Sequence, residues 1–263
     1  MFYRFRRTII IGVKNHPVVQ YLSEKINFIS FQSKAKKRPP VFIYQMGKVA
    51  SSSIYESLNE QYEGVSLHAH SFSESHTKSV VRFLFKMNEK EKINIKIISL
   101  IREPIARNIS AFYENFKRDL GFEFEDNPYS TEELHELFLK DHDHKIPLIW
   151  FDHNLLKNFN IDVYQKPFPE IGYTTFKNDN IEVLLLKHDL NDKTKEAVIG
   201  TFLNKDDFTL TNYNIGTSKI YSASYKEFQK IPIPDWYITK MVDSKYVQHF
   251  YSNEIDDIIN KWA

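Results

Sequence analysis

The sequence predicts an α/β fold, a parallel sheet covered by helices, on three observations. Three short apolar runs read as buried strands, helical patterns separate them, and turn chemistry follows the first two. Val41–Tyr44 is the first strand, entered from the paired prolines Pro39 and Pro40, and residues 51–58 open the helix after it. Ile95–Ile101 is the second strand, with Lys96 and Ser99 its only polar members, as expected of a central parallel strand buried on both faces. Pro104 then stands at a first helical position, and Ile105, Ile109, Phe112 and Phe116 follow at helical spacing, giving that helix one apolar face for the sheet. Residues 181–186 supply a third strand. In such sheets, ligands gather at the carboxyl ends of the strands.

A chain of 263 residues suits one large domain. Phe (21) and Tyr (15) are plentiful and Gly (7) is scarce, which excludes collagen-like and disordered classes. There is no cysteine, so disulfides, zinc–thiolate centres and thiol nucleophiles are excluded, and any metal site would need His and carboxylates. The net charge is +1, but nine Lys/Arg fall in the first forty residues against one acid, Glu24, leaving 26 basic against 33 acidic residues beyond. Residues 1–40 therefore read as a basic amino-terminal arm with residues 34–40 as linker, and residues 41–263 as the domain. The arm suits peripheral contact with anionic lipid or a polyanion, or serves as a solvated leader. The apolar run 8–13 is too short for a membrane span or a signal-peptide core, and a soluble, cytoplasmic protein is expected.

Two constellations carry chemistry. Between the first strand and its helix lies Gln45-Met-Gly-Lys-Val-Ala-Ser-Ser-Ser53. A turn there aims backbone N–H groups and the helix dipole at one spot, Gly47 and Ala50 are small, three hydroxyls add donors and Lys48 adds a mobile charge, so an anion is favoured. It is not a Walker A loop, which would need Gly in place of Phe42 and Ser or Thr in place of Val49. Ser51 to Ser53 read equally as a helix cap. The second strand ends in Arg102, not in a magnesium-binding Asp, which weighs against a kinase or ATPase and against a required Mg²⁺. Arg102 suits bidentate grip of a second phosphate, with Ser110 eight residues on reaching the same anion, or a surface salt bridge with Glu103.

These residues carry a resemblance. Lys48-Val49-Ala50-Ser51-Ser52-Ser53 is similar to the 5′-phosphosulfate loop of sulfotransferases that use 3′-phosphoadenosine 5′-phosphosulfate (PAPS), in particular the hexuronyl 2-O-sulfotransferases. Arg102-Glu103-Pro104 with Ser110 resembles that family's 3′-phosphate motif. The segment 213–219, containing Thr217, Ser218 and Lys219, is similar in position to its late nucleotide-closing loop, with Asn214 and Gly216 where basic residues are usual. The carboxyl-terminal stretch to Trp262 resembles bacterial capsular polysaccharide synthesis proteins. The resemblance implies a three-layer, P-loop-NTPase-like sulfotransferase fold and transfer of a sulfuryl group from PAPS to a carbohydrate hydroxyl, with 3′,5′-ADP as product, no metal and no nucleic-acid partner. It implies that Lys48 stabilises the leaving oxygen, that Val49, Ala50 and the three serines hold the 5′-phosphate, that Arg102 and Ser110 hold the 3′-phosphate, and that Thr217, Ser218 and Lys219 close on the nucleotide.

A base for the acceptor remains. His68 and His70, two apart in an extended segment, point to one side, and the same family carries an H-x-H pair there; His70 is taken as base and His68 as its support, with the reverse order left open. Asp141, His142, Asp143 and His144 look like a metal cluster but sit in a polar stretch that reads as an exposed loop, and no metal is assigned. Aromatics near Tyr113 and Trp150 suit the core better than sugar stacking. Two further readings stay open: a P-loop-type nucleotide-dependent kinase, and a non-catalytic polysaccharide-binding or assembly protein.

Overall fold

The computed structural model describes residues 32–72, 88–211 and 219–263. Its centre is β1 (Val41–Tyr44), every residue of which is fully buried. Helix α1 (Ser52–Gln61) leads back to β2 (Ser66–Ala69), parallel to β1 on one side, while β3 (Ile95–Ile101) is parallel to β1 on the other. From β3 the chain enters α2 (Pro104–Glu114), α3 (Phe116–Leu120), α4 (Thr131–Asp141) and α5 (Ile146–Phe151). It then forms β4 (Tyr173–Asn178) and β5 (Ile181–Lys187) and finishes in helices α6 (Asp192–Leu203), α7 (Ser222–Phe228), α8 (Asp235–Val242), α9 (Lys245–Phe250) and α10 (Ile255–Trp262). The sheet order is β2-β1-β3-β5-β4. The molecule is thus a mixed α/β fold whose five-stranded, mostly parallel sheet is flanked by helices.

The three expected strands form where the apolar runs fall, because each can be satisfied only with both faces covered: Val41–Tyr44 and, in β3, Ile95, Ile97, Ile98, Leu100 and Ile101 are at most 1% exposed. Full burial of such a side chain stabilises by roughly 1.5–3 kcal/mol, which outweighs any local preference. Lys96 survives in β3 by pairing across the register with Glu182 of β5 at 2.8 Å. Two strands were not expected. β2 makes the extended segment around His68 a strand of the sheet, and β4 pairs antiparallel with β5, so the sheet is not wholly parallel. β4 buries only Phe176, which left no apolar run to see.

Other expectations are corrected too. Residues 32–37, read partly as linker, are helical, and Ala35 packs on Val65, because the prolines stop the helix only at residues 39 and 40. The stretch with His142 and His144 is not an exposed loop: the His142 side chain is 2% exposed, and His144 Nδ1 lies 2.8 Å from Tyr237 Oη. Asn108 of α2 donates to Tyr237 Oη and to the His144 carbonyl, so this stretch closes a buried network. No helix among the described residues is long and apolar enough to cross a membrane.

Glu103 does not pair with Arg102 as a surface bridge. It turns inward and caps α2, accepting N–H bonds from Ile105 (2.5 Å) and Ala106 (2.9 Å) and from Trp262 Nε1 of the last helix (3.0 Å). Glu103→Ala would leave three buried donors unsatisfied; we expect a loss of roughly 2–4 kcal/mol, read as a lowered unfolding midpoint, with only part of the loss recovered in Glu103→Gln, whose single amide oxygen cannot serve both sides of the carboxylate.

Candidate functional site

The sheet order places a topological switch point between β1 and β3, since the chain leaves β1 toward β2 and returns on the opposite side. Loops following these two strands therefore diverge and open a crevice at their carboxyl ends. Residues 45–51 form its floor. Lys48 (φ 72°) and Ala50 (φ 59°) both adopt left-handed backbone, which costs on the order of 1 kcal/mol or more for each non-glycine residue. The loop is held there by side chains from three directions. His70 Nδ1 meets the Gln45 carbonyl at 3.1 Å, Arg107 Nε of α2 donates to the Gly47 carbonyl at 3.0 Å, and Arg102 Nη1 donates to the Lys48 carbonyl at 2.8 Å. Each trans peptide so gripped turns its N–H the opposite way.

Beneath the loop, buried Gln45 donates through Nε2 to Ser51 Oγ (2.6 Å), and His68 Nε2 lies 3.0 Å from that hydroxyl and 3.3 Å from Gln45 Nε2. Ser51 stands at the N-cap position of α1 but caps nothing with its side chain; the hydroxyl serves this triangle instead. With the Gln45 amide donating, Ser51 donates to His68 Nε2, so neutral His68 carries its proton on Nδ1. His70 is the reverse: only an N–H can satisfy the Gln45 carbonyl, so its proton sits on Nδ1 and Nε2 is the basic nitrogen. The two rings meet edge to face at 5.0 Å, and the His70 ring lies over Gly47. Trp150 Nε1 donates to the His70 carbonyl at 2.9 Å, fixing the end of β2 against α5.

The crevice is a cavity of about 960 Å³. It gathers Lys48, Ala50, Ser51, Ser52, Ser53, His68, His70, Arg102, Ser110 and Lys219, drawn from both ends of the described chain. Val49 is turned into the core and is not part of the wall, leaving its backbone alone as a contact. Thr217 and Ser218 lie outside the described residues. Burial holds the Lys48 ammonium below the ordinary lysine range, with Lys219 adding to the effect and Glu114, 3.1 Å away, opposing it. Burial also pulls the Arg107 guanidinium down to about 10, still protonated at neutral pH. Among the described residues, no group of three or more His, Asp or Glu is arranged to hold a metal ion.

Sequence reasoning missed several of these parts. Arg107 is 4% exposed and stands one turn before Ser110 on α2, and a charge so buried is itself a signal that something polar lies opposite. Glu114 falls one turn beyond Ser110, a spacing that shares a helix face. Gln45, at the end of an apolar strand, and Tyr246, whose hydroxyl accepts from the Arg102 N–H (3.1 Å) and donates to the Arg102 carbonyl (2.9 Å), carried no local signal. Asn154 lines the cavity from a π-turn, Asp152–Leu156, that continues α5, an irregularity invisible in the residue pattern.

Glu114 also carries a pH dependence. Burial alone would raise its pKa, but hydrogen bonds from Lys219 and Tyr221 and the charge of Lys48 bring it down to about 2. A carboxyl whose folded value lies below its unfolded one stabilises above the unfolded value, near pH 4.5, and loses that contribution as pH falls toward 2. Wild type is thus expected to exceed Glu114→Gln in unfolding midpoint at neutral pH, by a margin that shrinks between pH 4.5 and 2; a constant margin would contradict the assignment.

Comparison with known proteins gives one match. The model of a family described as "Putative capsular polysaccharide synthesis protein" matches residues 126–252, a little under half of the chain. No curated protein and no solved structure matches. The matched segment supplies Trp150, Asn154, Lys219 and Tyr221 of the cavity, while the 45–53 loop, Arg102, Ser110 and Glu114 precede it.

Proposed function

We propose that the protein is a PAPS-dependent sulfotransferase of the three-layer, P-loop-like type, acting on a hydroxyl of a carbohydrate in capsular polysaccharide synthesis. The observation that carries this reading is the meeting of Lys48, the three serines, Arg102 and Ser110 in one cavity at the switch point, with His70 on the same wall. The family match over residues 126–252 supports the polysaccharide side of it.

The cavity fits a doubly anionic nucleotide. Among its described lining residues are six cationic side chains, Lys48, Arg102, Arg107, Arg118, Lys219 and Lys226, against one carboxylate, Glu114. PAPS supplies the sulfuryl group and leaves as 3′,5′-ADP. Ser52 and Ser53 at the start of α1 donate to the 5′-phosphate, where the helix dipole adds to their effect. Arg102 and Ser110 hold the 3′-phosphate, which separates this donor from ATP. His70 Nε2 takes the proton of the acceptor hydroxyl as its oxygen bonds to sulfur. Lys48 stabilises the electron pair left on the oxygen that bridged sulfur to the 5′-phosphate when that bond breaks. His68, engaged with Ser51 and Gln45, orients the loop and is not the base.

Calorimetric titration tests the donor. Binding of 3′,5′-ADP without Mg²⁺, in preference to ATP–Mg²⁺, is expected; preference for ATP–Mg²⁺ would favour a kinase, and binding of neither a non-catalytic protein. Labelled-donor transfer to a panel of glycans tests the chemistry. Lys48→Ala should lower turnover by about 10²–10³-fold, far more than it weakens 3′,5′-ADP binding, and His70→Ala by about 10²-fold or more. A His70→Ala variant with wild-type turnover would move the base elsewhere.

A further inference from the structure

Glu114 has no part in the scheme above, yet it occupies the centre of the cavity wall. It lies one turn after Ser110 on α2, and a single oxygen, Oε2, receives Lys48 Nζ at 3.1 Å, Lys219 Nζ, and Tyr221 Oη at 2.5 Å. These partners are distant in sequence: Lys48 comes from the β1 loop, and Lys219 and Tyr221 from the segment entering α7. The Lys219 ammonium also sits 5.6 Å from the centre of the Tyr221 ring. The carboxylate is therefore the joint between the two basic segments, and it stands where an anion bound by Lys48 would have to approach.

We infer that Glu114 is a positioning residue, a built-in anion that holds the Lys48 ammonium in place until an anionic ligand takes it over, and that keeps Lys219 and Tyr221 fixed to α2 throughout. This rests on the reading of the cavity as an anion site, and deepens it. A lysine on a flexible four-carbon stem would otherwise sample many rotamers, and ordering it on ligand arrival would carry an entropic cost. Pairing with Glu114 orders the ammonium in advance. The cost is repulsion: one negative charge remains beside the incoming anion, so the empty site binds anions less tightly than its cations alone would allow. Lys48 exchanges one oxygen for another, while Lys219 and Tyr221, both bonded to the same Oε2, retain it.

The test uses the full chain with 3′,5′-ADP as probe, together with the reactivity of Lys48 toward reductive methylation, mapped by mass spectrometry without nucleotide. Glu114→Gln keeps the side chain's shape and removes its charge. It is expected to bind 3′,5′-ADP roughly threefold to tenfold more tightly at low ionic strength, with the gain shrinking as salt is added. Lys48 should be methylated several-fold faster, since its ammonium has lost its partner, and Glu114→Asp should fall between wild type and Gln in both readings. A merely structural role predicts weaker nucleotide binding and no selective change at Lys48. Unaltered or weakened 3′,5′-ADP affinity in a folded Glu114→Gln variant overturns the inference. Should wild type bind no 3′,5′-ADP, the donor assignment fails by itself, and Lys48 reactivity decides the role of Glu114: unchanged reactivity overturns it.

Discussion

The structure depends on the grip exerted on the turn after β1. Three of its carbonyls are claimed by side chains that the sequence supplies from far away: His70 beyond β2, Arg107 inside α2, and Arg102 at the end of β3. Each bond is a charge-assisted or ring N–H interaction in a partly buried setting, where breaking one leaves a carbonyl without water to replace the lost partner. Together they offset the strain of two left-handed non-glycine residues, Lys48 and Ala50. The loop is thus held in shape by bonds from the rest of the fold, reached from both β2 and the end of β3.

That grip has an electrostatic consequence. Arg102 and Arg107 are spent in part on backbone oxygens, so the crevice floor is positive even where no side chain reaches into open space. A buried guanidinium stays charged where a buried lysine would yield its proton, which is why arginine suits the two inner positions. Lys48 stands farther out, half-screened, its ammonium destabilised by burial, an effect that Glu114 offsets only in part. The site is consequently an ordered array of positive groups with a single internal counter-charge among its described residues, prepared before any ligand arrives.

How much of this was legible in the sequence follows from the range of each signal. β1, β3 and β5 announce themselves because burial on both faces demands unbroken apolar runs, and Pro104 with Ile105, Ile109 and Phe112 at helical spacing announces α2, which ends at Glu114 before Phe116 opens α3. Given those strands, the closeness of the 45–51 loop to Arg102 follows from strand order. What stayed hidden is set by pairing between distant residues. β4 needs only one buried side chain because it lies at the sheet's edge, and residues 32–37 fold as a helix against β2's end although their charges read as linker. His142 stacks on Phe138, four residues earlier, but the inward turn of His144 is fixed by Tyr237, far along the chain, which no local pattern connects to it. Val49 is read as one of the residues that hold the 5′-phosphate, and nothing in the loop's composition shows that its side chain is wholly buried in the core.

The last third of the chain explains why Arg102 can stand at the crevice at all. Tyr246, fully buried on α9, brackets the Arg102 backbone by accepting from its N–H and donating to its carbonyl, two groups that the sheet no longer serves once β3 has ended. One residue on, Trp262 of α10 ties down Glu103, which caps α2. The helices after residue 235 thus act on the site without entering it: they fix the backbone from which Arg102 reaches the loop and the helix on which Arg107, Ser110 and Glu114 are arranged. A residue distant in sequence and absent from the cavity wall, such as Trp262, is therefore part of the physical basis on which the arrangement of charges rests, because it helps to hold the carboxylate that caps the first turn of α2, between Arg102 and Ser110.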